Sequence, residues 1–224
     1  MGGIVMATTI NAAASAGLVT TADTSQILQL QTNGITGIQV DASQKVTFAN
    51  SLTSPTLVTP VINGMGSSIL TSGTAVASTS GTSIDFTGIP SWVKRITVMF
   101  NGVSTSGTSI VQIQAGLTTP ETTGYVSSVA GTNTTAIANA AFTSGFGLET
   151  SALATATTAR QGVVIMNLVT GNTWTAIGNI SSSVPQMAML AGSKTFSGVI
   201  DRVRITTVNG TDTFDAGSIN IVYE

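Results

Sequence analysis

Residues 84–102 read IDFTGIPSWVKRITVMFNG. The stretch holds the only adjacent pair of basic side chains in the chain, Lys94-Arg95, beside one of its two tryptophans, Trp92, with Asp85 shortly upstream. Two readings compete: a working site built from Asp85, Trp92, Lys94 and Arg95, or the start of a well-built strand. Alternation favours the strand. Ile84 and Phe86 alternate with Ser83 and Asp85, Gly88-Ile89-Pro90 turns the chain, and Trp92 and Val93 begin a second strand that continues through Ile96, Val98 and Phe100. Lys94 and Arg95 then fall at its polar edge, where charge guards against unwanted sheet pairing. Asp85 is expected to pair with one of them, or with Arg202 or Arg204.

Composition carries the same message through the whole chain. Of 224 residues 39 are Thr, 25 Ser and 24 Gly, while only 7% are charged, so polarity rests on hydroxyls and backbone. Thr is stiff at its first side-chain torsion and fits a pleated surface, and the charged helix formers that an amphipathic helix needs on its outer face are nearly missing. Seven Lys and Arg against nine Asp and Glu leave a net charge of −2, too weak and too dispersed for nucleic acid or an anionic membrane. With neither Cys nor His, the chain offers no disulfide, no thiolate and no zinc-type ligand set, and no DxDxDG run marks a calcium loop. No cofactor is expected.

Mean hydropathy is positive, at +0.41, yet no window of about 20 residues is continuously apolar. The uncharged stretch 161–193 is interrupted by Gly162, Gly171, Asn172, Gly178, Asn179 and Pro185, so it is not one spanning helix. The start, MGGIVMATTINAAASAG, lacks a basic leader and an unbroken apolar core, so no export signal is expected and folding is assigned to a cytoplasm.

Two regions differ in grain. Residues 1–72 carry short alternating pieces, Ile27–Leu30, Ile35–Val40 and Val46–Phe48, parted by Asn33-Gly34 and Asp41–Gln44. Their apolar side chains are too few for an independent core, because domains below roughly 40–60 residues are marginal without a staple or an oligomer. Cysteine is absent, so association is the remaining staple: Ile27, Leu28, Leu30, Ile35, Ile38, Val40, Val46 and Phe48 are predicted to bury against copies of themselves about one axis. A flexible linker is the alternative. The following SLTSPTLVTPVINGMG, with Pro55 and Pro60, reads as an extended connector, and 64–83 as a joining stretch in which Gly and Ser punctuate rather than pack.

Residues 73–224 show ten candidate strands: 83–86, 95–100, 110–115, 124–129, 141–148, 162–169, 173–180, 195–200, 202–208 and 218–223. That spacing is too close for helices and is the pattern of an antiparallel β-sandwich. Alternation in Ile110–Gln114 and Ile219–Tyr223 predicts half-buried strands, while 136–141 and 153–159, weakly helical in composition, are expected as loops or short turns. Arg95-Ile96-Thr97-Val98 before Asn101-Gly102 is echoed by Arg204-Ile205-Thr206-Thr207 before Asn209-Gly210, which suggests sister strands.

Catalytic patterns fail one by one. A serine nucleophile needs a base and there is no His; Lys45, Lys94 and Lys194 are expected to be solvated lysines at turns. Asp85, Glu121, Glu149, Asp201, Asp212 and Asp215 stand in no recognisable acid pair, and Asp212 with Asp215 reads as turn chemistry. Gly145-Phe146-Gly147 lacks the third glycine and the following helix of a phosphate loop. No catalytic residue is assigned.

With IDFTGIPSWVKRITVMFNGVSTSGTS, ETTGYVSS, FTSGFGLET and the closing DRVRITTVNGTDTFDAGSINIVYE in view, residues 83–224 resemble a domain recurrent in virion proteins of tailed bacteriophages and their prophages, usually labelled tail-fibre proteins. ILQLQTNGITGIQVDASQKVTFAN looks like the repeats in the shafts or necks of such fibres. The resemblance implies a homotrimer located on the virion. An N-terminal shaft would anchor it to other tail or capsid proteins, and a jelly-roll-like β-sandwich would face outward, with a host-surface glycan or protein as a further partner. It implies no enzyme, and leaves tail and capsid positions both open.

Overall fold

The computed structural model describes residues 28–32, 35–40, 43, 46–48, 70–135, 137–152, 154–156, 158–184 and 186–224. The chain divides into two compact units, Met1–Val61 and Ile62–Glu224. Among the described residues all helix-or-strand structure is strand, and every strand pairing is antiparallel, as the Thr-rich and charge-poor composition predicts.

In the first unit β1 (Leu28–Thr32), β2 (Ile35–Val40) and β3 (Val46–Phe48) form a three-stranded meander in that order. Register aligns Leu30, Ile38 and Phe48 in one cross-strand row, and Leu28, Val40 and Val46 in another two residues away. Six of the eight predicted apolar positions therefore fall in these two rows. Ile38 and Val40 are half-buried, and Val46 is 50% exposed. Ile35 opens β2 opposite Thr32, and Ile27, like the connector 49–69, lies outside the described residues.

The second unit begins with two short strands, β4 (Thr71–Ser72) and β5 (Val76–Ala77), followed by β6 (Ser83–Thr87), β7 (Arg95–Thr105) and β8 (Val111–Gly116). Then come β9 (Val126–Thr132), β10 (Ile137–Phe142), β11 (Phe146–Gly147) and β12 (Arg160–Thr170). The chain ends with β13 (Thr173–Ser182), β14 (Met187–Thr195), β15 (Arg202–Thr207) and β16 (Phe214–Tyr223). They make two sheets: a nine-stranded one in the order β10-β9-β14-β13-β12-β7-β16-β4, with β5 also on β16, and a four-stranded one in the order β11-β8-β15-β6.

One hydrophobic cluster joins the buried faces of both sheets. Ile96, Val98 and Val164 from the larger and Ile113, Val203 and Ile205 from the smaller are all 0% exposed. Fully burying an aliphatic side chain contributes about 1.5–3 kcal/mol, so this cluster is the main source of stability. Gly162 lets β12 cross its bulge: its φ is +146°, and a Cβ there would come within 2.1 Å of the Asn179 carbonyl oxygen.

Several expectations are revised. Trp92 and Val93 precede the strand rather than opening it, in a turn closed by Val93 N–H on the Pro90 carbonyl at 3.1 Å. Residues 137–142, expected as a loop, form β10, and the expected strand 141–148 breaks at the 143–145 bend into the end of β10 and β11. The expected strand 195–200 is instead the exit from β14. Strand β8 is buried on both faces, not half-buried, because Gln112 and Gln114 are roofed by the same bend: Ser144 Oγ donates to Gln112 Oε1 at 2.9 Å and Gln114 Nε2 donates to the Ser144 carbonyl at 2.9 Å. The joining stretch does pack, since β4 and β5 pair with β16 and fully buried Ser78 donates to the Ala216 carbonyl at 2.8 Å.

Candidate functional site

The residues of 84–102 that invited a catalytic reading go to different places. Asp85 receives a two-pronged contact from Arg204 across β6 and β15, Nε at 2.7 Å and Nη2 at 3.0 Å. Arg95 instead pairs with Glu224 at 3.0 Å. Lys94 joins the sheet through its backbone, donating to the Glu224 carbonyl at 2.7 Å. Trp92, 39% exposed, leans on Tyr223 with ring centroids 6.0 Å apart. What forms here is a corner of the large sheet with an exposed aromatic platform beside an ion pair. The chain's other Tyr and Trp, Tyr125 and Trp174, are core residues at 1% and 3% exposure.

The remaining acids are held by cations or donors. Asp201 pairs with Arg202 at 2.8 Å, and that hydrogen bond holds its carboxyl below the ordinary value. Asp212 accepts from Ser109 N–H at 2.9 Å and Asn209 Nδ2 at 2.7 Å, and Asp215 accepts from Ser104. Asp212 thus keeps the local turn contact expected of it, through Asn209, while Asp215, expected in a turn, lies in β16 and is bonded across to β7. Among the described residues no three acidic side chains converge on a cation site.

Two ion pairs hold a buried cation, and neither was anticipated. Arg160, 0% exposed, donates through Nε to Glu149 Oε1 at 2.6 Å and through Nη1 to the Thr158 carbonyl at 3.1 Å. Its Nη2 sits 2.6 Å from the same carboxylate oxygen but off the N–H direction, so the contact is Coulombic and that nitrogen keeps an unmet donor. Burial pushes the Glu149 carboxyl up, against the downward pull of Arg160.

Lys194, expected as a solvated turn lysine, is 7% exposed. Its Nζ lies 2.6 Å from Glu121 Oε2 and above the rings of Tyr125 and Phe196, at 5.2 and 5.1 Å. Ser197 fastens the other oxygen, donating from N–H at 2.8 Å and from Oγ at 2.7 Å. Partial burial raises the Glu121 carboxyl, but the bonds from Lys194 and Ser197 outweigh it and the net shift is downward. The Tyr125 hydroxyl accepts from Ala115 N–H at 3.0 Å, and burial pushes its phenol above the ordinary range. Glu121 draws both hydrogens of Ser197 to itself, so this cluster is a strut between the 117–125 loop and the end of β14.

The most extensive feature lies on the outer face of the nine-stranded sheet. Register lays one outward row through Ser128, Ala191, Ile177, Ile165, Thr97 and Val222, and the next through Ala130, Met189, Asn179, Val163, Met99 and Asn220. Neither row contains a charge. Ile177 is 57% exposed and Met189 59%, and beyond them Met187 is 53% and Ile137 86% exposed. β13 and β14 send Trp174, Ile180 and Leu190 into the core, but they also turn the small Ala176, Gly178 and Ala188 inward and Ile177, Met187 and Met189 outward. Gly178 has no choice, since a Cβ would meet the Val163 carbonyl oxygen at 2.7 Å. Ala130, Gly131, Thr132, Ile137, Met187 and Met189 line a hollow of about 270 Å³ on this face.

No family model, no curated protein and no solved structure matches the chain.

Proposed function

We propose that this chain is a structural virion protein of a tailed bacteriophage, a homotrimeric tail fibre or head-fibre (capsid decoration) protein. In this reading the N-terminal strands form the shaft and anchor to other virion proteins, and the second unit is a jelly-roll-like β-sandwich displayed outward. The observation that carries it is the N-terminal meander, whose register gathers Leu28, Leu30, Ile38, Val40, Val46 and Phe48 into two rows while Val46 stays 50% exposed. A small sheet with no staple gains its stability by packing on copies of itself. The long resemblances at 83–102 and 201–224, the scarcity of charge and the dispersal of the acids into separate ion pairs support the same reading. Native mass measurement of the full chain at micromolar concentration is expected to give a trimer; a monomer would overturn the proposal. Imaging of particles carrying the labelled protein separates tail from capsid.

A second reading, attachment to a host-surface glycan or protein, is favoured by one observation, the exposed Trp92 tilted against Tyr223 beside Arg95 and Glu224. Aromatic faces with adjacent polar groups suit sugar rings. Saturable adsorption of the full protein to host cells, lost in Trp92→Ala, supports this role, and adsorption unchanged by that substitution removes the platform from it.

A further inference from the structure

We infer that the outer face of the nine-stranded sheet is a self-association surface, covered in the assembled protein by a second copy of this chain. This rests on the reading of the protein as self-assembling and extends it to a named surface of the second unit.

Chemistry narrows the occupant. The two outward rows cross six strands without one ionisable side chain, and the Arg95–Glu224 pair stands one position beyond their edge. An apolar centre with charge at the rim is the anatomy of an interface. A partner with the usual quarter to third of its surface charged would strand ions against Met189 and Ile177, whereas this chain, 7% charged, would not. Nucleic acid and anionic lipid find no cation in the two rows, and the Arg95 at their rim is paired with Glu224.

Size fits as well. Six strands about 4.8 Å apart and two outward rows spanning four residues at about 3.3 Å give a flat area on the order of 400 Å², before side-chain relief and flanking rows are added. That is about half of the roughly 800 Å² per partner of a standard interface, with the flanking rows still to be added. Shape agrees, because Ile177 protrudes on the same face as the hollow between Ile137 and Met189, so one copy offers both knob and hole. The outward Ile177, Met187 and Met189 of β13 and β14 give the last argument: these strands place large apolar side chains where, in one chain alone, only water would meet them.

Because the chain has no cysteine, a single reporter thiol tests this cleanly. Full-length Ala191→Cys, with Ser128→Cys as a second reporter should the first fail to fold, is labelled with a maleimide above and below the assembly concentration while native mass is followed. Labelling at least tenfold slower in the oligomer, restored by dilution or by adding Met189→Lys, is the expected result. An oligomer in which the thiol reacts at the unprotected rate overturns the surface and leaves self-assembly standing. A wild-type monomer overturns self-assembly itself. Protection that persists in a monomer places another part of the same chain on the face and likewise overturns the inference.

Discussion

Arg160 is the largest side chain in the molecule with no exposure at all, and its position shows how narrow the margin at one residue is. Its charge is met by Glu149 alone among carboxylates, so removing either member strands the other in the core. Glu149→Gln is expected to destabilise by about 3–5 kcal/mol in chemical denaturation, whereas the double change Glu149→Leu with Arg160→Met is expected to cost less than the single one. Equal losses for both would show that the pair acts through something other than mutual neutralisation. Glu121 supplies a pH effect of defined sign. Its folded-state value lies below that of the unfolded chain, so its contribution is complete above the ordinary carboxylate value near 4.5 and fades as pH falls below it. Thermal melts from pH 6 downward are expected to fall on the acid side, and Glu121→Gln is expected to flatten part of that fall. The same substitution leaves Lys194 buried without its anion and lowers stability at neutral pH by about 1–3 kcal/mol.

Strand β14 separates the two faces of the large sheet side by side. Leu190, 2% exposed, points into the core and Met189, 59% exposed, points away. Leu190→Ala is expected to cost about 2–5 kcal/mol of unfolding free energy, while Met189→Ala, measured on dissociated chain, should stay within about 0.5 kcal/mol. A large loss for Met189→Ala in the dissociated chain would mean that the outer face is covered from within. The same strand explains what could be read in the sequence. Ser83–Phe86 and Arg95–Phe100 were legible because apolar and polar residues alternate where one face is wet. Met187-Ala188-Met189-Leu190 is apolar at both parities, so no alternation marks it as a strand; the property that makes the face adhesive is the one that hid it. Strand β10 was hidden likewise, its small Ala and Asn residues carrying little β-propensity, since an edge strand needs only to be paired. The apolar rows of the N-terminal meander were legible from their spacing. The partners of Arg160 and Lys194 were not, because which acid meets which base depends on strand order, and strand order is not written in local pattern.

At the scale of the whole molecule, scarcity of charge makes a prediction about conditions. An assembly joined through uncharged faces should respond weakly to ionic strength, because screening acts only on charge. Its dissociation constant is expected to move by less than about threefold between roughly 0.05 and 0.5 M salt, measured by dilution with mass detection. A steep salt dependence would shift the contact to the rim around Arg95 and Glu224. Strand order has a consequence in time as well. Strand β16 lies between β7 and the early strands β4 and β5, and Ser78 finds its acceptor 138 positions later. During synthesis, β7 therefore waits with one edge open until residues 214–223 emerge, and everything built before them is provisional. Late closure of this kind slows folding and leaves an interrupted chain with an adhesive edge. Chains stopped before residue 214 should accumulate as aggregates, so the fold itself would keep half-made copies out of any assembly that requires a finished sheet.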